Sequence, residues 1–238
     1  MRNKLEISIT KNWIFRKVFD QKWYKAQVPG CLHTDLLNNK IIPDPFYGTN
    51  EKDLQWISDE SWEYKTTIEI NNEFLRRNVQ LLKFYGLDTY AKVYVNGKLL
   101  IESNNMFHPW EVSVKNIFKL GENEILVSFE SPVQKILPKM SRMDYELPAD
   151  NDQIGKTSPH TRKAPYHYGW DWGPSFATCG IWQNVEIIGY DLFVIDNVHI
   201  NQKKVRTNSA KIEIIIDISS EMDSEAKLVI VEPKSKIN

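Results

Sequence analysis

Cysteine is scarce, with only Cys31 and Cys179 among 238 residues. Two cysteines cannot build a disulfide framework, and their separation matches no metal-site spacing. Net charge is equally slight. The 30 Lys and Arg against 31 Asp and Glu leave a formal charge of −1, without the basic excess of a nucleic-acid-binding surface. No apolar run approaches the ~18–20 residues of a membrane span. The opening MRNKLEISIT lacks the apolar stretch of a signal peptide, and the sequence leaves the compartment open. Internal repeats and low-complexity tracts are missing too. Nucleic-acid and membrane partners are therefore not expected.

Aromatic side chains are plentiful: 8 Trp, 10 Tyr and 10 Phe, or 12% of the chain. Many sit among polar neighbours, as in SWEY, NMFHPW and YHYGWDWGP. Such rings offer a flat apolar face with a polar rim, which suits the C–H faces and hydroxyl edges of sugars. The same rings also serve as core of an all-β domain. With 42% apolar and 26% charged residues, the composition is that of a folded globular protein.

The apolar pattern repeats every two residues. Thr66–Ile70, Asn78–Phe84, Lys92–Val95, Glu124–Phe129, Asn184–Ile188 and Ala210–Ile218 read as strands. Asn96-Gly97, between KVYV and KLLI, has the residues of a type I′ hairpin turn. Two short helices are expected, one capped by Thr34 and one starting at Pro132. The result is an all-β sandwich. Between Pro138 and Pro174 the alternation stops. A connection of that length without regular structure is usually functional or disordered, and its dense Trp and Tyr content argues for order. After Tyr190, Phe193–Ile200, Ala210–Ile218 and Lys227–Val231 read as three more strands, too few for a second sandwich.

Several stretches together resemble glycoside hydrolase family 2. WIFRKV, KAQVPGCLHTDLLNNKIIPDPFYGTNE, SWEYKTTIEI, GLDTYAKVYVNGKLL and NMFHPW are similar to its N-terminal sugar-binding domain. RKAPYHYGWDWGP, running on to CGIWQNVEI, resembles the β-mannosidase branch more than the β-galactosidase or β-glucuronidase branches. The resemblance implies a galactose-binding-like jelly roll over residues 1–190 and an incomplete immunoglobulin-like sandwich over 191–238. It also implies a retaining exo-glycosidase that removes terminal β-mannose from oligosaccharides without metal or cofactor. Such chemistry uses two carboxyl groups about 5–5.5 Å apart. In the family both are glutamates of a downstream (β/α)₈ barrel, which alone takes roughly 250 residues. No catalytic residue is therefore expected within this chain. Its partners would be a β-mannoside oligosaccharide and its own downstream barrel. A free-standing carbohydrate-binding module is the competing reading, since fold does not fix function.

Trp170, Asp171 and Trp172 are the candidate substrate-binding residues. In the resembling enzymes this tripeptide completes the sugar pocket, where a carboxylate accepts hydrogen bonds from two hydroxyls. The alternative is an aromatic clasp in which Asp171 caps backbone N–H groups. Arg162, Lys163, Tyr166 and His167 lie nearby, either pairing with pocket carboxylates or fixing the loop against the barrel. His33, His108, His160 and His199 show no ligand spacing. The acidic run from Asp144 to Asp152 reads as a solvated face, and Asp44-Pro45-Phe46 as a turn.

Overall fold

The structure, a computed structural model, describes residues 4–220 and Val229. In chain order its strands are β1 (Lys4–Ser8), β2 (Ile14–Lys17), β3 (Tyr24–Lys25), β4 (Trp62–Ile70), β5 (Val79–Phe84), β6 (Tyr90–Val95), β7 (Lys98–Asn104), β8 (Trp110–Ser113), β9 (Gly121–Phe129), β10 (Val185–Tyr190), β11 (Phe193–Arg206) and β12 (Ser209–Ser220). Five helices intervene: α1 (Leu32–Asn38), α2 (Asn50–Asp53), α3 (Trp56–Asp59), α4 (Asn72–Leu75) and α5 (Pro132–Met140).

Two compact units divide the chain at Gly189/Tyr190. The first is a sandwich of a six-stranded sheet, ordered β3-β2-β4-β9-β6-β7, and a four-stranded sheet, ordered β1-β10-β5-β8. Every pairing in the six-stranded sheet is antiparallel. Alternation decides which side chains turn inward. Tyr64 on β4, Val93 on β6 and Val127 and Phe129 on β9 are buried, as are Leu82 and Phe84 on β5. Phe15, Tyr64 and Phe129 interlock at 5.7 Å between successive ring centroids, adding ring geometry to the burial. Asn96 and Gly97 turn the β6–β7 hairpin with φ of 50° and 79°, as their sequence requires.

Both expected helices form, with one correction. α1 begins at Leu32 behind Cys31, not behind Thr34, whose hydroxyl lies 3.2 Å from Cys31 Sγ. Leu32 N donates to Cys179 O at 2.9 Å, so pairing with a distant segment sets where α1 starts. α5 starts at Pro132 as its sequence indicates, and Ser131 Oγ accepts from Gln134 N at 3.0 Å.

The long connection after α5 contains only two 3₁₀ turns, Ser158–His160 and Pro165–Tyr168, and isolated bridges. It nonetheless has a small core of its own, in which Ile154 and Tyr168 join Val133 and Ala177. The second unit contains the antiparallel hairpin β11–β12. Apart from Val229, the strand expected at Lys227–Val231 lies outside the described residues.

Candidate functional site

Trp170 to Gly173 form a tight turn, closed by Gly173 N donating to Trp170 O at 3.4 Å. Asp171 and Trp172 occupy its two central positions. The turn is fastened at both feet. On the entry side Tyr168 O accepts from Gln153 N at 3.0 Å and from Ser175 Oγ at 2.9 Å. On the exit side Ser175 N donates to Glu51 Oε1 at 2.7 Å, while Gln55 Nε2 donates to Ser175 O at 2.9 Å. Gly169, with φ of 131°, passes so close to Asn151 that a Cβ would stand 2.2 Å from its carbonyl oxygen; only glycine fits there.

The apex projects into solvent. Trp172 is 85% exposed and Trp170 45%, and the two indoles meet edge-on at 6.3 Å. Asp171 is exposed, and no group among the described residues hydrogen-bonds its carboxylate. The clasp reading, with Asp171 capping backbone amides and the indoles packed inward, does not describe this turn. Beside the apex opens a cavity of about 410 Å³, walled by the three turn residues and by Phe46, Glu51 and Gln153. Three aromatic residues, a free carboxylate and an amide border this mainly polar cavity, a setting for a polyhydroxylated ring. Sequence reasoning found the turn and missed the other walls. Asp44-Pro45-Phe46 does form a turn, with Asp44 Oδ1 accepting from Phe46 N at 3.0 Å, and that turn also delivers Phe46 to the cavity. A second cavity, about 590 Å³, lies elsewhere in the connection between Leu137 and His160. Its wall mixes leucine and methionine side chains with the charged Asp144, Glu146 and Lys156, and carries one aromatic side chain, Tyr145, besides His160.

The same connection also carries a buried ionic knot. Lys163 Nζ pairs with Asp88 Oδ2 and donates to Thr178 O at 2.7 Å, while Thr89 Oγ1 donates to Asp88 Oδ1. Main-chain bonds reinforce it, since Asp88 N and O bond Gly180 O and N at 3.0 and 3.1 Å. Lys163 thus ties the connection to the sandwich, not to a cavity carboxylate, whereas Arg162 is exposed.

This geometry can be set beside known proteins. The family model described as "glycosyl hydrolase 2 galactose-binding domain-like" matches residues 13–183. The chain belongs to that family. Beta-mannosidase B of Thermothelomyces thermophilus is 34% identical over 197 residues, a match covering 80% of this chain and 22% of that protein. The beta-mannosidase of Capra hircus is 31% identical over 243 residues, covering 98% of this chain and 27% of its own. A crystal structure of beta-D-mannosidase from Dictyoglomus thermophilum superposes with a TM-score of 0.86 at 38% identity, over 91% of this chain and 26% of that one. The chain therefore spans about a quarter of the length of the relatives it matches. A beta-D-glucuronidase from the same organism shares the fold alone, at 16% identity and a TM-score of 0.58.

Within this family domain some of the remaining candidates have structural roles. Asp152 is buried, not solvated, and its carboxylate accepts from Ile154 N and Ser158 N at 2.8 Å each. Asp144 and Glu146 line the second cavity. His33 packs on Phe176 at 5.2 Å, and His167 Nδ1 stands 3.6 Å from Asp88 Oδ2. Among the described residues no cluster of His, Cys, Asp and Glu could hold a metal ion.

Burial, reinforced by the charge of Lys163, lowers both His33 and His167 to about 4. Burial raises Asp35 to about 6, opposed by bonds from Gln27 N and Tyr64 Oη. Between pH 4 and 6.5 the unfolded histidines bind more protons than the folded ones, so stability rises with pH. Asp35 acts oppositely between its ordinary 3.8 and about 6. Each group contributes up to about 3 kcal/mol, and two histidines outweigh one carboxyl. Thermal melts should therefore show the midpoint rising from pH 4 to 6.5, with a flatter rise in His33→Gln. An unaltered slope in that variant would remove His33 from the balance.

Proposed function

We propose that this chain is the N-terminal part of a retaining exo-β-mannosidase and that its Trp170–Trp172 turn grips the terminal β-mannosyl residue of an oligosaccharide. The observation that carries the reading is Asp171: an exposed, unpartnered carboxylate at the apex of a doubly fastened turn, beside a cavity with aromatic walls. The β-mannosidase relatives, at 31–38% identity, support the choice of sugar.

In this reading Asp171 accepts hydrogen bonds from two sugar hydroxyls, each charge-assisted and roughly twice as strong as a neutral bond. Trp170 and Trp172 cover the apolar face of the ring and exclude water. Glu51 is already committed to the Ser175 amide and holds the turn in place. Bond cleavage falls to a nucleophile and an acid/base about 5–5.5 Å apart, two glutamates of a (β/α)₈ barrel downstream. Residues 191–238 belong to an immunoglobulin-like sandwich in between. Exposed Ile195, Val198, Ile200 and Ile215 on the hairpin fit a surface that a second layer covers.

Assay of the 238-residue chain beside the complete polypeptide tests this directly. The complete polypeptide should hydrolyse a β-mannoside with retention, the β-anomer of mannose appearing first by NMR, and the chain alone should not. Hydrolysis by the chain alone would overturn the placement of the glutamates. A complete polypeptide that binds oligosaccharide without cleaving it would be a carbohydrate-binding module.

A further inference from the structure

We propose that Phe46 and Gln153 form a second sugar subsite, which receives the ring that follows the terminal one. The inference deepens the proposed function and rests on Asp171 gripping the terminal sugar. Two further segments wall the cavity together with the Trp170–Gly173 turn: the turn at Asp44–Tyr47 brings Phe46, and the connection around Asn151–Gly155 brings Gln153. Neither is needed to hold the Asp171 turn by its side chain. Gln153 fastens that turn through its backbone N–H alone, which leaves a side-chain amide with both donors and an acceptor on the cavity wall.

Phe46 is 76% exposed, yet it is held in place. Its own turn is locked by Asp44, which accepts from Phe46 N through Oδ1 and through its carbonyl from Tyr47 N at 3.2 Å and Asn50 Nδ2 at 2.8 Å. The ring rests edge-to-face on Phe176 at 5.5 Å, and Phe176 is itself backed by His33. A ring fixed from behind and bare in front is a preorganised stacking platform, and preorganisation lowers the ordering cost of binding. The cavity, about 410 Å³, exceeds the roughly 150 Å³ that holds benzene, and so has room beyond one ring of that size. Asp171 supplies the charged grip on the first sugar, and the Phe46 face with the Gln153 amide supplies a weaker, uncharged grip on the second.

The test compares two substrates of the complete polypeptide: β-mannosyl fluoride, which has no second ring, and a β-linked mannobiose, which has one. Phe46→Ala should lower the ratio of kcat/KM for mannobiose to kcat/KM for the fluoride by about tenfold, the size of a lost aromatic contact, mainly through KM for mannobiose. Phe46→Tyr should restore the ratio. Because Phe46 is so exposed, the melting temperature should stay close to that of the parent. An unchanged ratio for Phe46→Ala, or equal losses on both substrates, overturns the second subsite. Asp171→Asn, run alongside, should impair both substrates. If it impairs neither, the grip on the terminal sugar fails and the second subsite fails with it; if it impairs both while the Phe46 ratio holds, only the subsite is lost.

Discussion

Replacing Asp171 with alanine in the complete polypeptide should lower kcat/KM on a β-mannoside by about 10²–10⁴-fold, because in the proposed reading bonds from two hydroxyls to one charged acceptor are each worth about 1.5–3 kcal/mol and about 1.4 kcal/mol is tenfold. Loss in kcat as well as KM is expected, since hydroxyl contacts near the cleaved bond tighten as the ring flattens in the transition state. Asparagine keeps the shape and acceptor oxygen but not the charge, and should recover part of the loss. The fold is not at risk. Asp171 makes no bond to the rest of the described chain, and an exposed substitution of that kind changes stability by at most about 0.5 kcal/mol. A variant with parental kinetics would take Asp171 away from the sugar altogether; a variant that melts many degrees lower would make it a structural residue.

The sandwich was legible where a strand is long enough to show its period. β4 and β9 alternate over nine residues each, and the Asn96-Gly97 turn carries its own backbone signature. β2, β3 and β8 run for four, two and four residues, too short for alternation to register; their partners impose the strand geometry. The start of α1 was misplaced for the same reason, since Cys179 O holds Leu32 N from 147 positions away in the chain. In the site, Trp170–Trp172 could be read because its chemistry is local: two aromatics and a carboxylate between glycines. Phe46 carried only a turn signal, and nothing in that turn announces a cavity that Gln153 and the Trp170–Gly173 turn, more than 100 residues later, help to wall. Lys163 was visible as a charge in the loop, but its partner Asp88 is 75 residues away, and burial of a lysine has no local signature.

That buried pair carries the larger stability effect. Lys163→Met should cost about 3–5 kcal/mol, the usual result of stranding one member of a buried ion pair, and lower the melting temperature of this domain by roughly 6–20 °C. Methionine preserves the length of the stem, so the loss measures the missing ammonium, which serves Asp88 and the Thr178 carbonyl together. A double variant, Lys163→Met with Asp88→Leu, should be less destabilised than the two single changes combined, because removing both charges leaves no carboxylate stranded. His167 gives the effect a pH dependence. In the parent the charge of Lys163 helps burial hold His167 at about 4, against the pull of Asp88. Without Lys163 the pull of the carboxylate 3.6 Å away is no longer opposed by that charge, so the folded pKa of His167 rises and protonation supplies a substitute cation. Raising the folded value adds stability as the pH falls through that range. Lys163→Met should therefore lie closer to the parent at pH 5 than at pH 7.5, and Lys163→Met combined with His167→Gln should lose that recovery. Parallel melting curves across this range would separate His167 from the pair, and a midpoint within about 2 °C of the parent would mean that the knot does not hold the connection to the sandwich.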